Sequence, residues 1–240
     1  NQKLNHHQVN NDILDSLQNR ALWLSLYMLD YANNIRQNPS TLKVGGHPSS
    51  STSVITTLTY LYFEYLNQGD RIAIKPHASP AYHAIQYLLG NLDPSFLKKF
   101  RELGGLQSYP SRTKDPDFVD YSSGSVGLGA VAPNFNWLAD EYLKNHTKNP
   151  IPDKRYFSLL GDAELDEGSI WEAIAEPNLI DSKNIIWIVD LNRQSLDRII
   201  PGIRVRAWRQ MFDANGWQVH EAKYGTKLQD AFNQPKGDLL

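Results

Sequence analysis

The stretch RYFSLLGDAELDEGSIWEAIAEPNLIDSKNIIWIVDLNRQSLD, residues 155–197, decides the fold class of this chain. Two apolar runs, residues 155–160 and 184–189, have the length of buried strands, and a helical segment, residues 169–175, lies between them. Apolar strands without alternation, joined by a helical crossover, indicate a parallel sheet that is covered on both faces. We therefore predict an α/β fold of three layers, in which a mostly parallel sheet lies between helices.

Polar residues follow both predicted strands at the point where each strand ends. Gly161 and Asp162 come after the first strand, and Asn192 comes just after the second. Because the carboxyl ends of parallel strands meet at one edge of a sheet, we expect Asp162 and Asn192 to converge on one crevice. A carboxylate and an amide oxygen suit magnesium or calcium carrying a phosphate. The same residue types also form ordinary turns, so spacing alone leaves that alternative open.

Composition limits the classes of protein to consider. The chain has 240 residues, of which 41% are hydrophobic, and this is enough for one large domain with a buried core. Its formal net charge of −2 favours neither nucleic acid nor an anionic membrane as a partner. There is no cysteine, hence no disulfide framework, and no apolar run approaches the roughly 20 residues of a membrane span. We expect a cytoplasmic protein.

The periodicity of the remaining chain predicts one α/β domain over residues 12–240, preceded by a loose polar segment, residues 1–11. The chain begins with Asn1 and not with Met, and we expect it to be a piece of a longer subunit. Further helices are predicted over residues 12–35, 53–66, 79–90, 93–104, 129–143 and 203–215, and further strands over residues 70–75 and 217–222.

Two histidines and one glycine-rich loop are candidates for chemistry. His47 lies in a loop rich in glycine and serine, and His77 directly follows a predicted strand. Such positions favour a functional role, although a solvated loop is the alternative. His83 lies within a predicted helix and is interpreted as structural, and no pair of histidines has the spacing of a zinc site. The long connection over residues 106–129 ends in glycines before a helix, which predicts either an anion site or close helix packing.

Four segments, taken in order, resemble one family, the transketolase-like thiamine diphosphate enzymes. The likeness is greatest to the homodimeric pyruvate dehydrogenase type, the first component of the 2-oxo acid dehydrogenase complexes, and it covers only the N-terminal, diphosphate-binding domain. The segments are Gly45-Gly46-His47 with Ser50, His77-Ala78-Ser79-Pro80, Ser108-Tyr109-Pro110 with Val126-Gly127-Leu128-Gly129, and Gly161-Asp162 with Asn192.

This resemblance implies a role for each matching position. The side chains of Asp162 and Asn192 and the backbone carbonyl of Gln194 would hold Mg²⁺ against the diphosphate. His47 and His77 would face the reaction centre as residues that handle substrate or transfer protons. Glu167 would be an interface carboxylate coupled to cofactor activation. The residues implied to bind or line the thiamine diphosphate are Ser50, Tyr109, Ser125, Val126, Gly127, Gly161, Asp162, Ala163, Glu164 and Asn192.

Three positions depart from the family pattern. Ala163 replaces the second glycine of the Gly-Asp-Gly signature, which is tolerable where the turn needs no positive φ. Asp190 stands where an asparagine often precedes the ligand asparagine, and it adds a negative charge near the expected cation. Lys75 stands where some relatives have an amide side chain.

The resemblance implies decarboxylation of a 2-oxo acid, with pyruvate as the expected substrate and a lipoyl acyltransferase as the acceptor. The alternative is a transketolase that moves two-carbon units between sugar phosphates, and a third reading is a non-catalytic domain that kept the fold. Gly-Gly-His-Pro-Ser-Ser departs from the transketolase pattern, whereas Glu167-Gly168 and Glu172-Ala173 are similar to it. The family's activating glutamate belongs to the next domain. We therefore expect a homodimer, in which the pyrimidine-binding domain of a partner subunit completes the site, and an inactive isolated chain.

Overall fold

The computed structural model describes residues 10–39, 42–148, 150–180, 182–192, 194–195, 198–199 and 202–237. The predicted loose segment therefore lies almost entirely outside the described residues, and Asn11 is already the first residue of a helix that Asn10 caps. The chain divides into two compact units, Asn1–Pro201 and Gly202–Leu240, which are described separately below.

A parallel sheet forms the centre of the first unit. In the described part of the chain it has the order β1 (Arg71–Ala73), β2 (Tyr156–Gly161), β3 (Ile185–Asp190). The central strand β2 is buried along almost its whole length, which explains the uninterrupted apolar run in the sequence. The prediction of a parallel sheet from residues 155–197 is confirmed.

Helices cover both faces of this sheet, because successive side chains of each strand point to opposite sides. On one face, Phe157 and Leu159 join the apolar core that is lined by the helices α1, α3 and α4 (residues 11–30, 55–60 and 79–88). On the other face, Ser158 donates a hydrogen bond to the Ala130 carbonyl (2.5 Å) and Trp187 donates one to Asn134 Oδ1 (2.9 Å), both in the helix α5 (Leu128–His146). The predicted three-layer arrangement is confirmed. The helices of this unit are α1 (Asn11–Asp30), α2 (Pro48–Thr52), α3 (Ile55–Tyr60), α4 (Ser79–Leu88), α5 (Leu128–His146) and α6 (Gly168–Ile174).

Two of the predicted helices are less regular than their sequence period suggested. The helix predicted over residues 12–35 is α1, which continues as a π-helical turn over Tyr31–Ile35. The helix predicted over residues 53–66 begins only at Ile55 and ends in a second π-helical turn, Leu61–Tyr65. The prediction of a helix over residues 93–104 is wrong, since the structure has only a short 3₁₀ helix there, Pro94–Lys98. No helix in the described ranges is both long enough and apolar enough to cross a membrane.

The second unit contains α7 (Gly202–Ala214) and α8 (Thr226–Phe232). The prediction of a strand over residues 217–222 is wrong, since these residues form neither strand nor helix. A strand requires a neighbouring backbone to hydrogen-bond with, and alternating side chains alone do not supply one. Trp217 instead packs its ring edge-to-face on Phe212, with the ring centroids 5.6 Å apart, and Glu221 accepts a hydrogen bond from Arg209 (3.0 Å).

Candidate functional site

The predicted metal ligands lie at the carboxyl edge of the sheet. Gly161 at the end of β2 pairs in register with Asp190 at the end of β3, so the residues that follow both strands start side by side. Asp162 begins a 3₁₀ turn and is 1% exposed, and its Oδ1 accepts the Ala163 N–H at 3.0 Å. Asn192 follows β3 and is exposed.

Gln194, the third predicted ligand, opens a short hairpin of β4 (Gln194–Ser195) and β5 (Arg198–Ile199). The backbone of β4 lies beside the turn that Asp162 begins. Asp162, Asn192 and the backbone of Gln194 are therefore brought to one edge of the sheet. Carboxylate, amide and carbonyl oxygens are the ligands that a hard divalent cation prefers, so these three residues are the ones that could hold it.

A buried ion pair lies at the same edge. Lys75, two residues after β1, places Nζ 2.6 Å from Asp190 Oδ2. The hydroxyl of Ser53, just after α2, donates to the same carboxylate oxygen at 2.7 Å. The negative charge that Asp190 adds near the expected cation site is thus balanced by Lys75. The sequence identifies Lys75 and Asp190 only as two separate departures from the family pattern. Their opposite charges at the ends of two strands of one sheet were the available indication that they form an ion pair.

His47 and His77 lie together, although thirty residues separate them in the sequence. Their ring centroids are 4.0 Å apart, and the His77 ring lies 5.6 Å from the ring of Tyr109. Both histidine residues are exposed. Partial burial, the neighbouring His47, and the positive charges of Lys75 and Arg101 lower the pKa of His77 to about 4. Burial and Arg101 also lower the pKa of His47. Both shifts favour the neutral form of the ring, which keeps one ring nitrogen free to accept a hydrogen bond or a proton.

The loop before His47 is held by glycines and by Asn33 of the α1 extension. Asn33 accepts the Gly45 N–H (2.8 Å) and donates to the Gly45 carbonyl (3.0 Å). Gly45 and Gly46 both have positive φ, and a Cβ on Gly46 would lie 2.2 Å from Leu29 Cδ2. Only glycine fits this close approach. Sequence reasoning quoted the two glycines and missed Asn33, whose role depends on a contact across twelve residues.

The glycine-rich connection is attached to the strand edge by one carboxylate. Glu164 accepts the Gly161 N–H at 3.0 Å and the Gly127 N–H at 3.3 Å. Burial raises the pKa of Glu164. Gly127 has φ +82°, and a Cβ there would lie 2.9 Å from Glu167 Cβ. The glycine thus serves close packing, and its N–H, which was a candidate for anion binding, already donates to Glu164.

The remaining predicted residues surround this edge. Ser50 is half-buried in α2, Ala163 is half-buried in the turn after β2, and Glu167, which follows that turn, is exposed. Ser125 and Val126 are exposed just before Gly127. The structure therefore places Ser50 on a short helix and the other four residues on loops and turns, and their predicted contacts with a cofactor stay predictions.

Comparison with known proteins identifies one family whose members this chain resembles. The profile described as "Transketolase, thiamine diphosphate binding domain" matches residues 43–234. Among curated proteins, the chain is 29% identical over 209 residues to the pyruvate dehydrogenase E1 component of Haemophilus influenzae, covering 82% of this chain and 24% of that protein. It is 27% identical over 240 residues to the pyruvate dehydrogenase E1 component of Cupriavidus necator, covering 95% and 26%. The chain thus spans about a quarter of the length of these relatives.

Solved structures share the fold. Transketolase from Leishmania mexicana matches with a TM-score of 0.73 and 22% identity, covering 90% of this chain and 32% of that one. A transketolase mutant from Pichia stipitis matches with a TM-score of 0.74 and 22% identity, covering 88% and 32%. At this level of identity the likeness concerns the fold alone.

Proposed function

The chain belongs to the family of transketolase-type thiamine diphosphate-binding domains, and from this we propose that it forms the diphosphate-binding half of a 2-oxo acid decarboxylase site. The observation that carries the proposal is the convergence of a buried carboxylate, Asp162, with the balanced Lys75–Asp190 pair at one sheet edge. The curated relatives, which are pyruvate dehydrogenase E1 components, support pyruvate as the substrate.

The residues at the strand ends fit a magnesium ion and a diphosphate. Asp162 and Asn192 offer side-chain oxygens, and the Gln194 carbonyl is the third proposed ligand; hard oxygen donors of this kind are the ones Mg²⁺ selects. The pairing of Asp190 with Lys75 supports this assignment, because the pair adds no net charge beside the cation. When bound, thiamine diphosphate supplies the carbon nucleophile that adds to a 2-keto carbonyl and the ring that accepts the electrons released when the adjacent bond breaks.

The protein residues supply position and proton transfer. The neutral rings of His47 and His77 provide nitrogen atoms that accept a proton from a substrate or return it. Tyr109 packs near His77 and restricts its ring, and Asn33 holds the loop that carries His47. Glu164 keeps the Gly127 loop against the end of β2 and thereby shapes the wall of the proposed site.

The proposal includes a second half of the site. Because the chain spans about a quarter of its relatives, we propose that a pyrimidine-binding domain of a partner subunit in a homodimer completes the site. A lipoyl acyltransferase is the proposed acceptor. Ketol transfer between sugar phosphates is the second candidate. It is favoured by Glu167, the exposed residue beside Gly127 for which the family resemblance implies an interface carboxylate.

A two-substrate assay tests the proposal. The 240-residue chain and any longer polypeptide that carries it would be incubated with thiamine diphosphate and Mg²⁺, once with pyruvate and once with a ketose phosphate donor and an aldose phosphate acceptor. We expect carbon dioxide release from pyruvate by the longer polypeptide and none by the 240-residue chain. Ketol transfer without decarboxylation would replace the proposal with its alternative, and turnover by the 240-residue chain would disprove the need for a partner domain.

A further inference from the structure

One arginine close to the His47–His77 pair has a guanidinium group that is only partly engaged. Arg101 donates a hydrogen bond from Nη1 to the carbonyl of Val44, three residues before His47, at 3.1 Å. Its Cζ also lies 5.9 Å from the ring centroid of Tyr109, and the Tyr109 ring is 5.6 Å from that of His77. Arg101 therefore contacts both the loop that leads to His47 and the aromatic ring that packs beside His77.

The hydrogen bonding of this guanidinium is incomplete. An arginine side chain has five N–H donors in a planar fork, and two of its nitrogens together match the two oxygens of a carboxylate or phosphate. In Arg101 only Nη1 donates to another described residue, and Nε is buried without a hydrogen-bond partner among the described residues. Buried polar atoms are normally satisfied, so the edge formed by Nε and Nη2 indicates an acceptor that these residues do not supply.

The charge of Arg101 is also unpaired. After burial and the neighbouring His47, two positive charges lower the pKa of His77, those of Lys75 and Arg101. Lys75 is neutralised by Asp190 at 2.6 Å, whereas Arg101 forms no ion pair with a carboxylate in the described part of the chain. Because both histidine residues are exposed, the positive charge of Arg101 lies near a surface that an anion from solution can reach.

The backbone of Arg101 adopts a conformation that is uncommon for a residue with a Cβ. Its φ is +55°, and its N–H donates to the Leu106 carbonyl at 2.8 Å across a turn that contains Gly104 and Gly105. Side chains in this conformation are unfavourable and are frequent at ligand-binding sites. A Cβ on Gly45 would lie 2.9 Å from Arg101 Nη1, so the loop before His47 leaves room for the guanidinium.

We propose that Arg101 binds the anionic group of the substrate beside His47 and His77, through the Nε and Nη2 edge of its guanidinium. This inference rests on the proposed function, whose candidate substrates carry either the carboxylate of a 2-oxo acid or the phosphate of a sugar phosphate. A guanidinium holds both groups with two parallel hydrogen bonds. The carboxylate is the favoured ligand, because it is bonded directly to the keto carbon and would bring that carbon next to the histidines.

The first experiment is an NMR titration of the wild-type 240-residue chain. Mg²⁺ and thiamine diphosphate would be present throughout, at constant ionic strength, so that an added anion does not simply occupy the cofactor site. Pyruvate, its neutral amide pyruvamide, and inorganic phosphate would be added separately. We expect pyruvate to shift the imidazole signals of His47 and His77 together with one arginine Nε–H signal, and to bind at least about tenfold more tightly than pyruvamide. Histidine signals that shift alone, or equal binding of pyruvate and pyruvamide, would overturn the proposal.

The second experiment assigns the anion to Arg101 with matched variants. Arg101→Gln removes the charge, and we expect the affinity for pyruvate to fall at least about tenfold while the affinity for pyruvamide stays the same. Arg101→Lys keeps the charge without the planar fork and should recover only part of the loss. Lys99→Gln removes an exposed positive charge two residues away and should leave both affinities unchanged. Equal losses for pyruvate and pyruvamide in Arg101→Gln would contradict the proposal, since Arg101 would then only hold the loop at Val44.

The remaining outcomes separate this inference from the function on which it rests. Binding of thiamine diphosphate to the wild-type chain is measured independently by calorimetry. A chain that binds the cofactor and not pyruvate would refute the role of Arg101 alone, whereas binding of pyruvate through Arg101 without cofactor binding would refute the proposed function alone. Tighter binding of phosphate than of pyruvate would support Arg101 as the anion-binding residue and assign it to a sugar phosphate. Should neither Arg101 variant fold, as judged by circular dichroism, the wild-type titration decides.

Discussion

Lys75 Nζ lies 2.6 Å from Asp190 Oδ2, and the two side chains are only 4% and 15% exposed. The pair joins the segment after β1 to the end of β3 and so spans the end of the central strand between them. The two positions that the sequence analysis treats as separate departures are therefore coupled in the structure, because each charge is the partner of the other.

The first prediction concerns the energy of this pair. Lys75→Gln leaves the Asp190 carboxylate without its cation in a largely buried place, and we expect the free energy of unfolding to fall by about 3 kcal/mol. Asp190→Asn leaves the ammonium group unpaired and should cost a similar amount. The double variant restores a neutral amide pair, so its loss should be smaller than the sum of the two single losses by about 1 to 3 kcal/mol. Urea unfolding of the four proteins measures this coupling.

A surface pair provides the matched control. Lys144 Nζ lies 2.6 Å from Asp153 Oδ1, the same distance as in the buried pair, but Asp153 is 86% exposed. Lys144→Gln should change stability little, because exposed ion pairs are weak. Additive losses in the Lys75 and Asp190 cycle would show that the two charges do not depend on each other.

The second prediction concerns the loop that carries His47. Gly46→Ala places a Cβ 2.2 Å from Leu29 Cδ2 in a backbone with φ +129°, and we expect a loss of about 2 to 4 kcal/mol of stability. Gly69→Ala is the control for the backbone alone, since Gly69 has φ +102° and its Cβ would meet no atom within 4 Å. The difference between the two variants isolates the clash. Equal losses of unfolding free energy in Gly46→Ala and Gly69→Ala, measured by urea unfolding, would show that the loop moves away from Leu29 without cost.

Some of the fold and site could be predicted because it depends on local sequence. The uninterrupted apolar runs within residues 155–197 predict both strands, of which β2 is buried and β3 is half-buried, and the position of Asp162 follows from where β2 ends. The prediction of a strand at residues 217–222 is wrong because a short run of alternating apolar and polar residues does not determine which backbone the segment pairs with.

The contacts that complete the site depend on which segments meet. The sequence shows that Lys75 and Asp190 carry opposite charges but gives no distance between them. In the same way, the glycines before α5 predict either an anion site or close helix packing, and the sequence does not show that Gly127 N–H donates to Glu164, which the turn after β2 brings to it. His83 was interpreted as structural, and the two aspartates that its buried ring contacts lie in a loop whose course the sequence does not reveal.

The third prediction concerns pH. The folded chain holds the pKa of His77 at about 4, below the ordinary value of 6.5, so the unfolded chain binds more protons between these two pH values. The contribution of His77 to stability therefore rises from about pH 4 to about pH 6.5 and is level above that. His77→Gln should flatten this part of the profile of unfolding free energy against pH, whereas His146→Gln, which removes an exposed imidazole in α5, should not. An NMR titration of His77 near pH 6.5 would contradict the assignment.

The fourth prediction concerns the metal. Asp162→Asn removes the charge of the proposed first ligand of Mg²⁺, and we expect magnesium-dependent binding of thiamine diphosphate to weaken by at least about tenfold in calorimetry. Asp166→Asn changes an exposed carboxylate in the same turn and should leave the affinity unchanged. If wild type and Asp162→Asn bound thiamine diphosphate with the same affinity, and magnesium changed that affinity equally in both, Asp162 would not be a ligand of the metal.

The fifth prediction concerns the carboxylate that connects the Gly127 loop to the sheet. Glu164 accepts N–H groups from both Gly161 and Gly127, and Glu164→Gln retains only one side-chain oxygen while turning an NH₂ group toward the second donor. We expect a loss of about 1 to 3 kcal/mol, because a buried donor is left without an acceptor. Hydrogen exchange of the two backbone amides should show which hydrogen bond to residue 164 is broken. Faster exchange at Gly127, with protection kept at Gly161, would mean that the Gly127 loop detaches while the end of β2 stays in place. Glu167→Gln removes the negative charge of an exposed neighbour and is the control for the change in charge. Equal exchange at Gly127 in wild type and Glu164→Gln would show that packing against Glu167 suffices to hold the loop.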